Sequence, residues 1–155
     1  MTPTEITGLL KERFGDKVLE SKADGVCPFS VVAPASILEV CRFLQADARL
    51  QMDHLELLGG VDFKDRIEVV YVVSSLNQGH RYVLKCRLPR EDPKLQTVEL
   101  VWVAANWHER EAFDMFGVTF EGHSDLRRIL CPDDWEGFPL RKDYKSPTRY
   151  RDMPV

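Results

Sequence analysis

The residues best equipped for chemistry crowd into one stretch, Asn106 to Pro147. It gathers His108, Glu109, Arg110, Glu111, Asp114, His123 and Asp125, with Cys131 close behind. Carboxylates and imidazoles at this density are the raw material of a hard-metal or zinc site. A free-standing metal-dependent hydrolase would use His108, Glu111 and His123. The spacing argues against it. An HExxH arrangement puts two imidazoles on one helical face, whereas this chain runs His108-Glu109-Arg110-Glu111 with no second histidine four residues on. Adjacent His and Glu point about 100° apart around a helix, so they do not converge on one ion. Cys131 has the polar surroundings of a nucleophile, but no glycine-rich nucleophile turn precedes it. Neither a GxGxxG nor a GxxxxGK[ST] phosphate loop occurs, and the cysteine spacing fits no iron–sulfur cluster.

A charged run on a helix is usually a solvated face, with Arg110 and Asp114 at ion-pair spacing. The interleaved residues argue for more than that. Trp107, Phe113, Met115, Phe116, Phe120, Trp135, Phe138 and Tyr144 alternate with Arg127, Arg128, Arg141 and Lys142. Arginine among large aromatics is the composition of protein interfaces. The stretch therefore reads as a contact surface rather than an active site.

The elements that must position it can be read from the N-terminus. Thr2, Pro3 and Glu5 supply a capping box and a first-turn proline. Ile6, Leu9, Leu10 and Phe14 then share one helical face, and Gly15 provides the stop. "KVLES" and "FSVVA" follow as two strands around Asp24-Gly25. Pro34 opens a second helix with Ile37, Val40, Cys41 and Leu44 inward. Three strands come next, "MDHLELLGGV", "RIEVVYVVSSL" and "RYVLKCRLP", the last two joined by a hairpin at "NQGH". In the third, Tyr82, Leu84, Cys86 and Leu88 face in while Arg81, Lys85 and Arg87 face out.

The order α-β-β-α-β-β-β predicts an α+β two-layer sandwich, helices on one face of a mixed, mostly antiparallel sheet. Beyond it, "TVELVWVAAN" is expected to form a short helix, Asn106 to cap a helix over 106–117, and Gly117 to end it. Little regular structure is expected after Asp133. Residues 1–130 are read as one domain and 131–155 as an extended, partner-binding segment.

Composition narrows the function. The chain has 155 residues, 44% apolar and 30% charged, with a formal net charge of −4. That balance suits a soluble domain and gives no positive field for nucleic acid. The four cysteines are scattered, and two lie inside apolar patterns, which points to reduced thiols. No apolar run reaches the roughly 20 residues of a membrane span. The N-terminus has the character of neither a secretory signal nor a transit peptide. A membrane connection is thus expected only through partners.

The blocks "HEREAFDMFG", "GHSDLRRIL" and "DDWEGFPLRKDY", in that order, resemble the signature of one family. It is the C-type, thirty-kilodalton subunit of proton-pumping NADH:quinone oxidoreductase, respiratory complex I. The likeness runs from about Gly59 to Tyr144. Its core is Glu109, Arg110, Glu111, Asp114, Met115, Phe116, Gly117, His123 and Leu126 to Leu130, with Trp135, Arg141, Lys142 and Tyr144 in the tail. Ser124 stands where the family usually has proline, and Cys131 where Met or Thr is common. The resemblance implies a subunit with no active site, flavin, cluster or quinone ligand of its own. FMN and iron–sulfur clusters would lie in partner subunits. Its neighbours would be subunits of the D, B and I types, in a hydrophilic arm on the cytoplasmic side of a prokaryotic inner membrane. Arg127, Arg128, Arg141 and Tyr144 would anchor the tail on those neighbours. Related domains in membrane-bound nickel–iron hydrogenases and deazaflavin-dependent dehydrogenases make the same bracing role in such a complex the alternative.

Overall fold

Thr2 starts the first helix as its neighbours predict. In the computed structural model, which describes residues 1–151, 153 and 154, α1 spans Pro3–Phe14. Its capping box is complete: Thr2 N donates to Glu5 Oε2 at 2.7 Å and Glu5 N to Thr2 Oγ1 at 3.3 Å. Gly15 ends the helix at φ 49°, ψ −120°, and a short 3-10 turn leads into β1 (Val18–Lys22). After β2 (Phe29–Val32), Pro34 opens a 3-10 turn that continues as α2 (Ile37–Ala46). Ile37, Val40, Cys41 and Leu44 are all buried on its inner stripe, as the helical period predicts.

The strands β3 (His54–Asp62), β4 (Arg66–Ser74) and β5 (Arg81–Pro89) complete a five-stranded mixed sheet in the order β1-β2-β5-β4-β3. Only β2 and β5 run parallel in it, because the chain crosses through α2 before the β3–β4–β5 meander returns beside β2. The α+β sandwich expected from the element order is the observed architecture. The 75–80 hairpin closes through Ser75 N to His80 O, with Gly79 at φ 69°.

Helices α1 and α2 cover one sheet face and bury Tyr71, Tyr82, Leu84, Cys86 and Leu88 against it. A chain of hydroxyls fastens α1 to that face. Thr7 Oγ1 lies 2.6 Å from Tyr82 Oη, which lies 2.8 Å from Ser30 Oγ. The other face has its own cover. Val31, Val72 and Val83 are buried on it, and Lys85 and Arg87 of the same face are only partly exposed, their heads paired with Glu68 and Glu20.

The last third departs from the sequence reading in three places. "TVELVWVAAN" is not a helix but a succession of turns, preceded by the short β6 (Lys94–Gln96), which pairs in parallel with β7 (Thr119–Glu121). One helical bond does form, Trp102 N to Val98 O at 3.0 Å, but the next N–H groups make tighter turns, Ala105 N to Trp102 O and Asn106 N to Val103 O, so the ladder does not run on until α3. Helix α3 (Ala105–Phe116) begins after Ala104, and Asn106 does not cap it; the Asn106 amide donates to Glu99 instead. Finally, the segment after Cys131 is irregular, as expected, but folds back onto the domain rather than lying extended. Leu140 N donates to Met115 O, and Lys142 N to Asp62 Oδ2. Two short strands, β8 (Arg149–Tyr150) and β9 (Met153–Pro154), follow. Positions 152 and 155 of the expected tail lie outside the described residues.

Candidate functional site

Helix α3 turns its acids inward. Glu109 and Asp114 are 0% exposed and Arg110 6%, so the charged run is not a solvated face. The expected Arg110–Asp114 pair does not form. Asp114 instead acts as a clamp for the loop that follows β7. Its Oδ2 accepts the N–H groups of Ile129, Leu130 and Cys131 at 3.1, 2.7 and 2.8 Å, and its Oδ1 meets Arg128 Nη1 at 2.6 Å. Burial pushes this carboxyl up, but these donors outweigh it and hold it below the ordinary carboxylate range.

Arg128 extends the clamp outward. Its Nη2 donates to the carbonyls of Trp135 and Gly137, both at 2.9 Å. Arg110 donates to the carbonyls of Arg127 and Arg128 and lies over the Trp107 ring, 4.9 Å from its centre. Arg141 Nε reaches Phe116 O at 2.7 Å, and both Arg128 and Arg141 lie over Phe138. Trp135 Nε1 donates to Tyr144 Oη at 3.0 Å. Among the expected tail anchors, then, Arg128, Arg141 and Tyr144 are engaged within the chain. Arg127 is exposed and pairs with Asp125, and the Lys142 side chain is exposed while its N–H holds Asp62. Burial pushes the Asp62 carboxyl up, but Arg90 and the N–H groups of Lys142 and Lys64 bring it down to about 2.

The N-terminal half of α3 carries a second buried cluster. Glu109 accepts from Thr97 Oγ1 at 2.5 Å and Val98 N at 2.8 Å. The His123 ring is wholly buried beside it, with Nε2 3.1 Å from Asn106 O. Glu99 accepts from Asn106 Nδ2 and from Ser124 N and Oγ. A proline at 124, usual in the resembling family, would lose both Ser124 donors.

The hydrolase triad is not assembled. His108 and Glu111 flank a shallow groove of about 260 Å³ with Gly60, Phe116 and Leu140, whereas His123 belongs to the buried cluster. Among the described residues no three His, Cys, Asp or Glu side chains are grouped to hold a metal ion. The Cys131 thiol is pushed up by burial and by Asp114, the reverse of an activated nucleophile.

An apolar row also stays outward. Leu100, Val103 and Trp107 are 82%, 86% and 64% exposed, at i, i+3 and i+7 along the turns that run into α3. Their neighbours Val98, Val101, Trp102 and Ala105 are buried. Large apolar side chains in an exposed row have the character of a contact surface. The sequence reading included Trp107 but missed Leu100 and Val103, because they sit in an apolar run that reads as one buried element.

Comparison with known proteins identifies the family and the fold. Residues 30–150 match the family model described as "Respiratory-chain NADH dehydrogenase, 30 Kd subunit". The C-type subunit of the NADH-quinone oxidoreductase of Chloroherpeton thalassium is 43% identical over 150 residues, 95% of this chain; the chain spans 62% of that relative's length. The fold superposes on a trypsin-resistant fragment of Nqo5 with a TM-score of 0.67 at 29% identity, covering 78% of this chain and 98% of the fragment. It also superposes on a chain of a membrane-bound sulfane sulfur reductase, an archaeal respiratory membrane complex. There the TM-score is 0.73 at 26% identity, covering 92% of this chain and 85% of the other. With its signature acids placed as clamps and its fold matched by these relatives, this chain belongs to the family of the 30-kDa subunit of respiratory-chain NADH dehydrogenase.

Proposed function

We propose that this chain is a non-catalytic structural subunit of the hydrophilic arm of an NADH:quinone oxidoreductase. It braces the quinone-reducing module, so that electrons from NADH reach quinone in an enzyme that couples this transfer to proton translocation. One observation carries the reading. The acids and arginines that resemble an active site are spent holding this chain's own loops, and what they leave outward is the apolar row Leu100, Val103 and Trp107. The Arg110 guanidinium over Trp107 gives that row the arginine–aromatic character of a contact hot spot.

Subunits of the D, B and I types are the partners we infer, with FMN and iron–sulfur clusters residing in other subunits. No helix among the described residues is long and apolar enough to cross a membrane. Attachment at the cytoplasmic side of a prokaryotic inner membrane is therefore proposed to run through those partners. The likeness to a chain of the sulfane sulfur reductase complex favours a second reading, the same bracing role in a related respiratory membrane complex.

Capture of the tagged chain from gently solubilised membranes separates these readings. The expected result is co-purification of flavin- and cluster-bearing subunits with NADH-dependent quinone reduction. Partners of a hydrogenase or sulfur-reducing type would replace the first reading with the second. Recovery of the chain alone would oppose both.

A further inference from the structure

Near the row of Leu100, Val103 and Trp107 lie three neighbouring ionisable side chains, two of them closed off from water. The side chains of Glu109 and His123 are 0% exposed and that of Glu99 9%; His123 Nε2 stands 3.6 Å from Glu99 Oε2 and 3.9 Å from Glu109 Oε2. Among the described residues no lysine or arginine pairs with either carboxylate. Glu109 has only Thr97 Oγ1 and Val98 N as donors, while Glu99 has Asn106 Nδ2 and Ser124 N and Oγ. Arg110 is the nearby cation, and it spends its guanidinium on the carbonyls of Arg127 and Arg128 rather than on either carboxylate. Cys41 of α2 and Tyr71 of β4 face Glu109 across the core, and Asp125 stands on the far side of His123.

His123 cannot become the missing cation without losing a bond. Its Nδ1 accepts the Asp125 N–H at 3.0 Å, which leaves Nε2–H to donate to Asn106 O. That is the pattern of a neutral imidazole, since the imidazolium would set a second N–H against the Asp125 N–H. Glu99 keeps its charge through its three donors, whereas a second, fully buried carboxylate beside a neutral ring has no compensating charge, which favours its protonated form. Glu109, the more deeply buried and the poorer in donors, is the one that fits.

We propose that Glu109 is a proton-binding site that latches the 97–107 segment onto α3, making the apolar row on that segment a proton-linked docking surface. The docking half rests on the reading of Leu100, Val103 and Trp107 as partner-facing. Burial pushes the Glu109 carboxyl up to about 7, Glu99 adds to the shift, and the Thr97 and Val98 donors hold it down. The sign follows. A carboxyl raised above its ordinary value of 4.5 favours the closed state below that value, and the advantage is lost as pH rises through about 7. Once the proton leaves, water reaches the charge by parting the 97–99 turn from α3, and Leu100 moves with it. By linkage, a partner that docks on the closed form strengthens proton binding by the same factor.

The test uses the full chain, carbon-13 labelled at its glutamate carboxyls and titrated by NMR from about pH 5 to about pH 9, a range bracketing neutral. Amide exchange at Val98 and Trp102 is followed in parallel, corrected for intrinsic rates. One carboxyl is expected to titrate near neutral, with protection of both amides falling as pH rises towards that midpoint and levelling off above it. Thr97→Val is expected to move that midpoint up and Glu99→Gln to move it down, opposite shifts that loss of packing alone does not produce. If Thr97→Val fails to fold, the wild-type titration and Glu99→Gln decide. Glutamate carboxyls all titrating in their ordinary range, or protection that does not fall as pH rises towards the midpoint, would overturn the latch. These readouts need no partner, so their failure is distinct from failure of the docking surface, which shows as normal assembly of row variants and removes only the docking half.

Discussion

Asp114→Ala is expected to lower unfolding stability by about 3–5 kcal/mol, the range for removing one partner of a buried charge pair. The carboxylate accepts three consecutive backbone N–H groups and the Arg128 guanidinium, and it is 0% exposed. Without it those donors stay partly buried with no acceptor, and Arg128 loses the charge that aims it at Trp135 and Gly137. Since a domain of this size has a total stability of only about 5–15 kcal/mol, the variant should lie near the edge of folding. The check is denaturant unfolding followed by circular dichroism, with a lower midpoint and an unchanged slope as the expected result. Asp134→Ala is the control. Asp134 also holds several donors, Tyr150 Oη and Arg151, but it is exposed, and exposed pairs are worth about 0–1 kcal/mol. Equal losses in the two variants would contradict the clamp. The acid limb carries the same signature. Asp114 and Asp62 are both held below their ordinary value of 3.8, so the stability they give is present above that value and is lost as pH falls, for Asp62 down to about 2.

Gly117→Ala should be the next most damaging change, at about 2–4 kcal/mol from left-handed strain plus overpacking. Gly117 ends α3 at φ 72°, ψ 29°, and an added Cβ there would lie 2.5 Å from the Phe138 ring. Displacing Phe138 also removes the surface on which Arg128 and Arg141 stack. The damage should therefore spread to the 128–141 loop, seen as faster tryptic cleavage after Arg141. The pair Gly59-Gly60 offers an internal comparison. A Cβ at Gly60 would meet the Phe116 ring at 2.5 Å, whereas one at Gly59 meets nothing within 4 Å. Gly60→Ala should lower the melting temperature and Gly59→Ala should leave it almost unchanged.

Most of the sheet layer is legible in the residue pattern, because β5 alternates and α1 and α2 carry their caps and stripes openly. The site is less legible, for physical reasons. Patterning assigns carboxylates to the outside, and nothing near Glu109 or Asp114 in sequence shows where their partners come from. Those partners are backbone N–H groups at 98 and 129–131 and a guanidinium at 128, reached only once the chain has turned back on itself. Asn106 has the residue type of a cap, yet Glu99 captures its amide. The tail's aromatics and arginines suit a partner, and part of that complementarity is used on the chain's own carbonyls. The motif resemblance singles out these residues without saying what they hold.

In the proposed role this chain serves by being held, through a surface that its own clamps leave outward. Assembly of the enzyme with Leu100→Asp, Val103→Asp and Trp107→Asp combined puts that role to the test. It is read on native gels of solubilised membranes, beside the melting temperature of the isolated variant. These side chains are exposed and charge there is tolerated in the free chain, so the melting temperature should match wild type while the assembled complex and its NADH:quinone activity fall away. Normal amounts of active complex carrying the triple variant would contradict this role.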